Sequence, residues 1–482
     1  MNEASPIPVA ETQALEAEAK AKVEANRQGP AMRGDLTKGP ILKTLLMFSI
    51  PMLVSNVLQT LNGSVNAIWV GRLLGEAALA ATANANIVMF LVFAAVFGFG
   101  MATTVRVGQH FGARDIEAAR RTFGTGLGFC IAISLATAAI GWVGAGALLD
   151  ALGTPDASRA DALAYLRVVF VTIPLATVNM MVSMGMRGAG DSKTPLYAMI
   201  LAVTLDIALN PILIIGVGPV PTLGVAGSAI ATALANTAGM AFQIWVIYRK
   251  DLPLRLRGPE LGYLNPRGED LRYVLTKGLP MGAQMLLVSS AGLIMVGLVN
   301  REGLNAAAAY GASLQLWNYL QMPAFAIGSA VSAMVAQSLG AGDHGRVDKV
   351  TTIGLAANMV MSTSLAALIV GFDRPLLALF LGGTSPALPI AEHIQMICTA
   401  SFVIVSITMI MTGTMRAYGA VAAPLVIMFM GLYPGRLGFY AIARPWLGSE
   451  AVWWAYPVGS GLTVLFTVIY YRMGKWREAY KG

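Results

Sequence analysis

Charge is scarce in this chain. Asp, Glu, Lys and Arg make up 12% of its 482 residues, against roughly 25% in a soluble domain. That shortage excludes an ordinary water-soluble fold. Cysteine is scarcer still, with only Cys130 and Cys398, each inside an apolar stretch, which excludes a disulfide framework. The three histidines are scattered and in no metal-ligand spacing. No Walker loop, Rossmann fingerprint or nucleophile elbow occurs, so no catalytic constellation and no cofactor is expected. The pair Glu392-His393 could titrate in an outer vestibule, but reads more simply as a wetted helix end. No secretory signal is expected, because no apolar core follows a short basic start.

What is present is apolar residue, 56% of the chain. Apolar stretches near the ~20 residues needed to cross a bilayer recur from residue 44 to residue 472, and twelve are counted. The expected class is therefore an all-α polytopic membrane protein. Several stretches exceed the bilayer's need and should tilt, kink or project from it. Residues 1–40 form a polar tail with Glu11, Glu16, Glu18, Lys20, Lys22, Glu24 and Arg27. The first six helices fall in 41–248 and a polar linker in 249–272. The last six helices fall in 273–475, and a second tail in 476–482.

Lys and Arg set the orientation. With both ends in the cytosol, most of the 33 basic residues lie in cytosolic segments, which satisfies the positive-inside rule. Arg106 alone is left within a span. This bias accounts for the net charge of +8, so no nucleic-acid partner is implied. Trp453, Trp454 and Tyr456 at one end of the last span, and Tyr470 and Tyr471 at the other, read as interfacial belts.

The chain repeats itself. Ile50-Pro51-Met52 returns as Leu279-Pro280-Met281, 229 residues on. Gly100, Ala102, Val107, Gln109, Gly112, Ala113 and Asp115 return as Gly328, Ala330, Val335, Gln337, Gly340, Ala341 and Asp343 at an offset of 228. Met186, Arg187, Gly190, Pro195 and Leu196 return as Met415, Arg416, Gly419, Pro424 and Leu425 at 229. Three matches in register predict two homologous six-helix halves. Because six is even, the halves are related by an axis along the membrane normal, with the substrate path between them. The glycine-rich ends Gly112-Ala113-Arg114-Asp115, Gly340-Ala341-Gly342-Asp343, Arg187-Gly188-Ala189-Gly190-Asp191 and Arg416-Ala417-Tyr418-Gly419 read as helix stops, with glycine in a left-handed conformation.

Asp206 is the one carboxylate deep inside a long apolar stretch. An Asp at a helix centre costs about 2.5–3.5 kcal/mol on insertion scales, so such a residue is a functional candidate by default, usually for proton or cation movement. One H+ or one Na+ neutralises its single charge, which also makes it the candidate ligand for Na+.

Several segments resemble the MATE (multidrug and toxic compound extrusion) family, nearest its DinF-like bacterial branch. They are Leu36-Thr37-Lys38-Gly39-Pro40-Ile41 ahead of Ser49-Ile50-Pro51-Met52, Val70-Gly71-Arg72 with Ala78-Leu79-Ala80-Ala81, Phe111-Gly112-Ala113, and Met186-Arg187-Gly188-Ala189-Gly190-Asp191. The resemblance covers about residues 36–475. It implies two six-helix lobes around a V-shaped cavity in a bacterial inner membrane. It also implies export of bulky, often cationic compounds by antiport with H+ or Na+, by a chain that works as a monomer.

The likeness breaks where coupling chemistry is expected. The family's first-helix Asp is Asn66 here. Its fifth-helix order of Asn, three residues, then Asp-Pro is exchanged for Asp206, three residues, then Asn210-Pro211. Positions i and i+4 share a helix face, so the exchange keeps both groups on one site. Pro211 frees the carbonyl of Ile207 beside them. Thr232 and Ser228 match the family's sixth-helix positions at this site. Gln59, Asn62 and Asn179 in the first half, and Gln284 and Gln315 in the second, stand at candidate cavity depth. No acid occupies Pro280–Leu298, which argues for coupling in the first half only. Methionines such as Met180, Met285 and Met409 suit a promiscuous wall but equally an ordinary apolar core. The other reading is a lipid-linked saccharide flippase of the same superfamily. Such proteins tend toward fourteen spans and a basic central cavity, neither of which is found here.

Overall fold

The structure is a computed structural model that describes residues 34–151, 156–216 and 221–480. Most of the polar tail, residues 1–33, lies outside the described residues, as does the extreme C-terminus. The described residues form twelve helical spans long and apolar enough to cross a membrane, and the chain is an all-α, multi-pass membrane protein. The first half holds α1 (Ile41–Leu74), α2 (Glu76–Gly112), α3 (Ile116–Ala151), α4 (Asp156–Gly188), α5 (Lys193–Ile215) and α6 (Gly224–Arg249). The second holds α7 (Gly268–Asn300), α8 (Leu304–Gly340), α9 (His344–Gly371), a short α10 (Asp373–Leu381) and α11 (Leu388–Ala417). It closes with α12 (Ala422–Met430), α13 (Phe439–Leu447) and α14 (Glu450–Met473).

Two features show how the sequence meets an apolar solvent. Large apolar side chains such as Ile140, Val143, Leu293 and Leu379 point outward and are more than two-thirds exposed, the inverse of a soluble surface. Hydroxyl groups inside the helices turn back on their own backbone: Thr103 donates to the Phe99 carbonyl at 2.9 Å, Thr204 to Ile200 at 2.8 Å and Thr467 to Thr463 at 2.7 Å. Where no water reaches, a hydroxyl needs a protein acceptor, and a carbonyl of its own helix is the nearest.

The eleventh span is not the continuous α-helix that its apolar run suggests. Between α12 and α13 the chain makes a π-helical turn over Gly431–Gly438, with Pro434 inside it. Proline cannot supply the backbone N–H that an α-helix needs, and the wider turn absorbs the break. The aromatic belt is also partly corrected. Trp454 is exposed, but Trp453 and Tyr456 are buried in a core with Tyr310, Trp317 and Phe402. Residues three apart share a helix face, so 453 and 456 turn inward together while 454 faces out. The linker packs on α3: Arg120 donates from Nε to the Pro253 carbonyl at 2.7 Å and pairs with Glu260 at 2.7 Å. The Arg257 backbone amide and then the Arg120 guanidinium hold the Glu260 carboxyl below its ordinary range.

The halves meet where α2 packs on α7 and α8, and α1 on α8. Small residues allow the approach, as usual between membrane helices: a Cβ on Gly98 would lie 2.4 Å from the Gly278 carbonyl oxygen. At the end of the molecule carrying the 34–40 segment, the repeat makes a reciprocal fastening. The Gln109 side-chain amide donates to the Ala417 carbonyl at 2.7 Å, and that of Gln337 to the Gly188 carbonyl at 3.1 Å. Both glutamines are buried, and each occupies an orphan carbonyl at the end of a helix in the opposite half. A Cβ on Gly112 would stand 1.9 Å from the Gln337 carbonyl oxygen, and one on Gly340 1.8 Å from that of Gln109.

That geometry corrects one expectation. Gly112 and Gly340 are small because another backbone passes against them. The left-handed residues of those turns are Arg114, with φ 62°, and Gly342, with φ 76°. The other pair of turns does use glycine for its conformation, Gly190 at φ 80° and Gly419 at φ 83°.

Candidate functional site

Three helices of the first half converge on Asp206. α5 packs against α1 and α6 and carries Asp206 and Asn210 on one face. α1 presents Asn62 and Asn66, again four residues apart and so on one face. α6 presents Thr232. Asp206 is 1% exposed and Asn210 fully buried.

Four side chains donate to the carboxylate. The Nδ2 groups of Asn62 and Asn66 lie 2.7 and 2.8 Å from Oδ2, and that of Asn210 lies 2.8 Å from Oδ1. The Thr232 hydroxyl sits between the two oxygens, at 3.1 Å from Oδ1 and 3.3 Å from Oδ2. The donors are themselves cross-linked. Asn210 Nδ2 is 3.1 Å from Asn66 Oδ1 and 3.1 Å from the Asp206 carbonyl, and Asn66 Nδ2 is 3.4 Å from the Thr232 hydroxyl. A hydrogen bond to a charged group contributes about 1.5–3 kcal/mol. Four of them offset the several kcal/mol that desolvating one charge costs.

The cluster contains one ionisable carboxyl group among neutral amides and a hydroxyl. Two of its acceptors, Asn62 Oδ1 and Asn210 Oδ1, are buried with no hydrogen-bond partner. With the Asp206 oxygens they form a set of hard oxygen donors, the kind that suits hard cations over soft ones. A single carboxylate among neutral amides matches one positive charge. An amide can turn its oxygen toward such an ion by a half rotation.

Sequence reasoning had placed Asn66, Asn210 and Thr232 with Asp206, and in the structure all three touch it. Ser228, one turn away on α6, is buried but makes no hydrogen bond to the carboxylate; it shares a face with Thr232 and lies a turn further along the helix axis. Asn62, expected only as cavity lining, is one of the shortest contacts; the signal that could have found it is its i, i+4 spacing from Asn66. The other polar residues stand apart from this cluster. Asn179 accepts from Gln243 at 2.7 Å, and Gln284 donates to the Val421 carbonyl at 3.2 Å. Gln59 and Gln315 are exposed on their helices.

Comparison with known proteins gives the same architecture. The MatE family model matches twice, over residues 51–212 and 280–439, two segments that begin 229 residues apart at the repeated prolines. The chain is 32% identical over 447 residues to the probable multidrug resistance protein YoeA of Bacillus subtilis, covering 92% of this chain and 96% of that one. It is 29% identical over 450 residues to the probable multidrug resistance protein YpnP of the same organism, covering 92% and 97%. Among solved structures, an outward-facing multidrug resistance MATE family transporter of the MOP superfamily superposes with a TM-score of 0.85 at 21% identity, covering 93% of this chain and all of that one.

Proposed function

This chain belongs to the MATE family of transporters, and from that premise we propose that it is a multidrug exporter driven by H+ or Na+ binding at Asp206. The observation that carries the coupling site is the buried carboxylate with four neutral donors and two partnerless amide oxygens. The ion is a cargo here. Its arrival neutralises the site, and its departure restores an anion that only the four donors stabilise. A ligand shifts a conformational equilibrium only by its difference in affinity for the two states. A site that loses or gains one charge between α1, α5 and α6 supplies that difference.

Bulky organic compounds, often cationic, are the proposed substrates, in keeping with the names of the relatives. The proposed setting is a bacterial inner membrane with both termini cytosolic, which the distribution of Lys and Arg supports. One chain contains both halves and every residue of the ion site, so a monomer suffices. The test is efflux of a fluorescent organic cation from proteoliposomes under separately imposed proton and sodium gradients. Export driven by one gradient and abolished by its collapse is expected. Equal flux with no gradient would overturn coupled transport.

A further inference from the structure

The two halves repeat each other at their shared end, and the mirror is broken at one place. Gln337 accepts the backbone N–H of Leu36 on its Oε1 at 2.9 Å. Gln109, its counterpart, accepts there from the Arg106 guanidinium at 3.2 Å. Arg106 lies over the Tyr273 ring, 5.1 Å from its centroid. A Cβ placed on Gly419 would find the Tyr273 hydroxyl at 3.5 Å and Lys277 Nζ at 3.6 Å, so two of the groups reach one turn and Arg106 stacks on one of them. The positions related to Arg106, Tyr273 and Lys277 by the repeat offset are Met334, Thr44 and Phe48. None of those is charged, and Thr44 and Phe48 line a cavity beside Gly190, the counterpart of Gly419. At these three positions one side of the seam therefore carries two cations and a phenol and the other carries none; the cations of the Gly190 side, Lys193 and Lys250, come from other positions.

The protein supplies these groups with no countercharge. Among the described residues, neither Arg106 nor Lys277 forms an ion pair with a carboxylate. Asp270, one turn before Tyr273, gives its oxygens to Arg121 at 2.9 Å and Thr122 at 2.7 Å. Arg106 Nε and the Tyr273 hydroxyl are both buried without a hydrogen-bond partner, a condition that costs stability and calls for an occupant. Lys277 is only partly buried, which leaves the site a way in.

We propose that Arg106, Tyr273 and Lys277 bind a phosphate group. Three donors of different shape, a planar fork, a hydroxyl and a point charge, fit the several oxygens of a phosphate better than the two coplanar oxygens of a carboxylate. Arg106 belongs to α2 of the first half, and Tyr273 and Lys277 to α7 of the second. A phosphate held by all three fastens the halves together at this end, beside the glutamine pair, and favours the state closed there. The headgroup of an anionic phospholipid and a soluble phosphate compound share this chemistry.

The test uses the full chain in phosphatidylcholine nanodiscs at low salt. Binding is read as the rise in unfolding temperature with added phosphatidylglycerol in one arm and inorganic pyrophosphate in the other. In the unaltered chain, the same ligands should protect Lys277, but not the exposed Lys475, from an amine-modifying reagent. Arg106→Met, which installs the mirror residue, and Lys277→Gln should each weaken binding about tenfold or more, the loss expected for a charged hydrogen bond. Lys475→Gln should leave it unchanged. A response to the lipid alone identifies a headgroup site, and a response to pyrophosphate identifies a site open to soluble phosphates. Failure of both ligands to protect Lys277, or equal weakening by Lys475→Gln, would overturn the proposal.

Discussion

Replacing Asp206 by Asn separates the role of this residue in transport from its role in folding. The change is isosteric and removes one charge. Four donors now face the carboxylate; a neutral amide keeps one accepting oxygen, so the donors that still meet it drop from about 1.5–3 to about 0.5–1.5 kcal/mol each, and those facing the new NH2 have to rotate and present their own oxygens. The opposing gain is that no charge has to be desolvated, a saving of several kcal/mol. The new amide N–H groups also have acceptors waiting, since Asn62 Oδ1 and Asn210 Oδ1 are buried without partners. These terms nearly cancel, so the variant should stay within about 2 kcal/mol of the parent and give a normal melting profile. Transport is a different matter. Swinging a two-state equilibrium from 1:99 to 99:1 takes about a 10⁴-fold difference in affinity between the states, and without the carboxylate neither H+ nor Na+ retains one. Gradient-driven efflux in proteoliposomes should fall to the level of empty vesicles. The exchange Asp206→Asn with Asn210→Asp puts the charge back one turn along the same face, within reach of Asn66, and should recover much of the flux. A folded Asp206→Asn protein that exports normally would refute the coupling role. A double variant as inactive as the single one would show that the position of the charge along α5 matters as much as its presence.

Three further outcomes follow from the seam and the topology. Gly112→Ala or Gly340→Ala places a methyl group 1.9 or 1.8 Å from a carbonyl oxygen of the opposite half; the halves should separate at that end, costing about 1–3 kcal/mol, and a cysteine at Ala336 should become reactive to a water-soluble maleimide. Gln109→Ala and Gln337→Ala each leave a buried carbonyl unpaired, a penalty of about 1–3 kcal/mol, and spin-label distances between positions 114 and 342 should shift toward longer values in both. For orientation, Leu261→Cys should react with an impermeant thiol reagent only after permeabilisation of cells, and Leu304→Cys should react from outside; the reverse pattern would invert the proposed topology.

The site was only partly legible in the residues. Asp206 announced itself because a carboxylate in an apolar run has no cheap explanation, and Asn210 followed from the i, i+4 rule. Asn62 did not: its i, i+4 spacing puts it on one face of α1 with Asn66, but which helix that face meets is not written in α1 itself. Ser228 shares a helix face with Thr232, but the level at which α6 meets α5 gives the carboxylate only the threonine. Gln109 and Gln337 were visible as a repeated pair, but that each reaches a helix end of the other half could not be read from one half's sequence.

By itself the sequence determined the twelve spans, because crossing a bilayer demands only a local run of apolar residues. It determined the duplication too, and the left-handed turns at Gly190 and Gly419, where the backbone conformation depends on a single residue. Tertiary structure decided everything that depends on how each helix is rotated about its axis. It turned Trp453 and Tyr456 into a core, set Gly112 and Gly340 against a passing backbone, gathered Asn62 with Asn66, Asp206, Asn210 and Thr232, and brought Arg106 over Tyr273. In water the polar face of a helix announces which side is out. Between lipid tails both sides are apolar, and only contact with the neighbouring helices settles which side faces in.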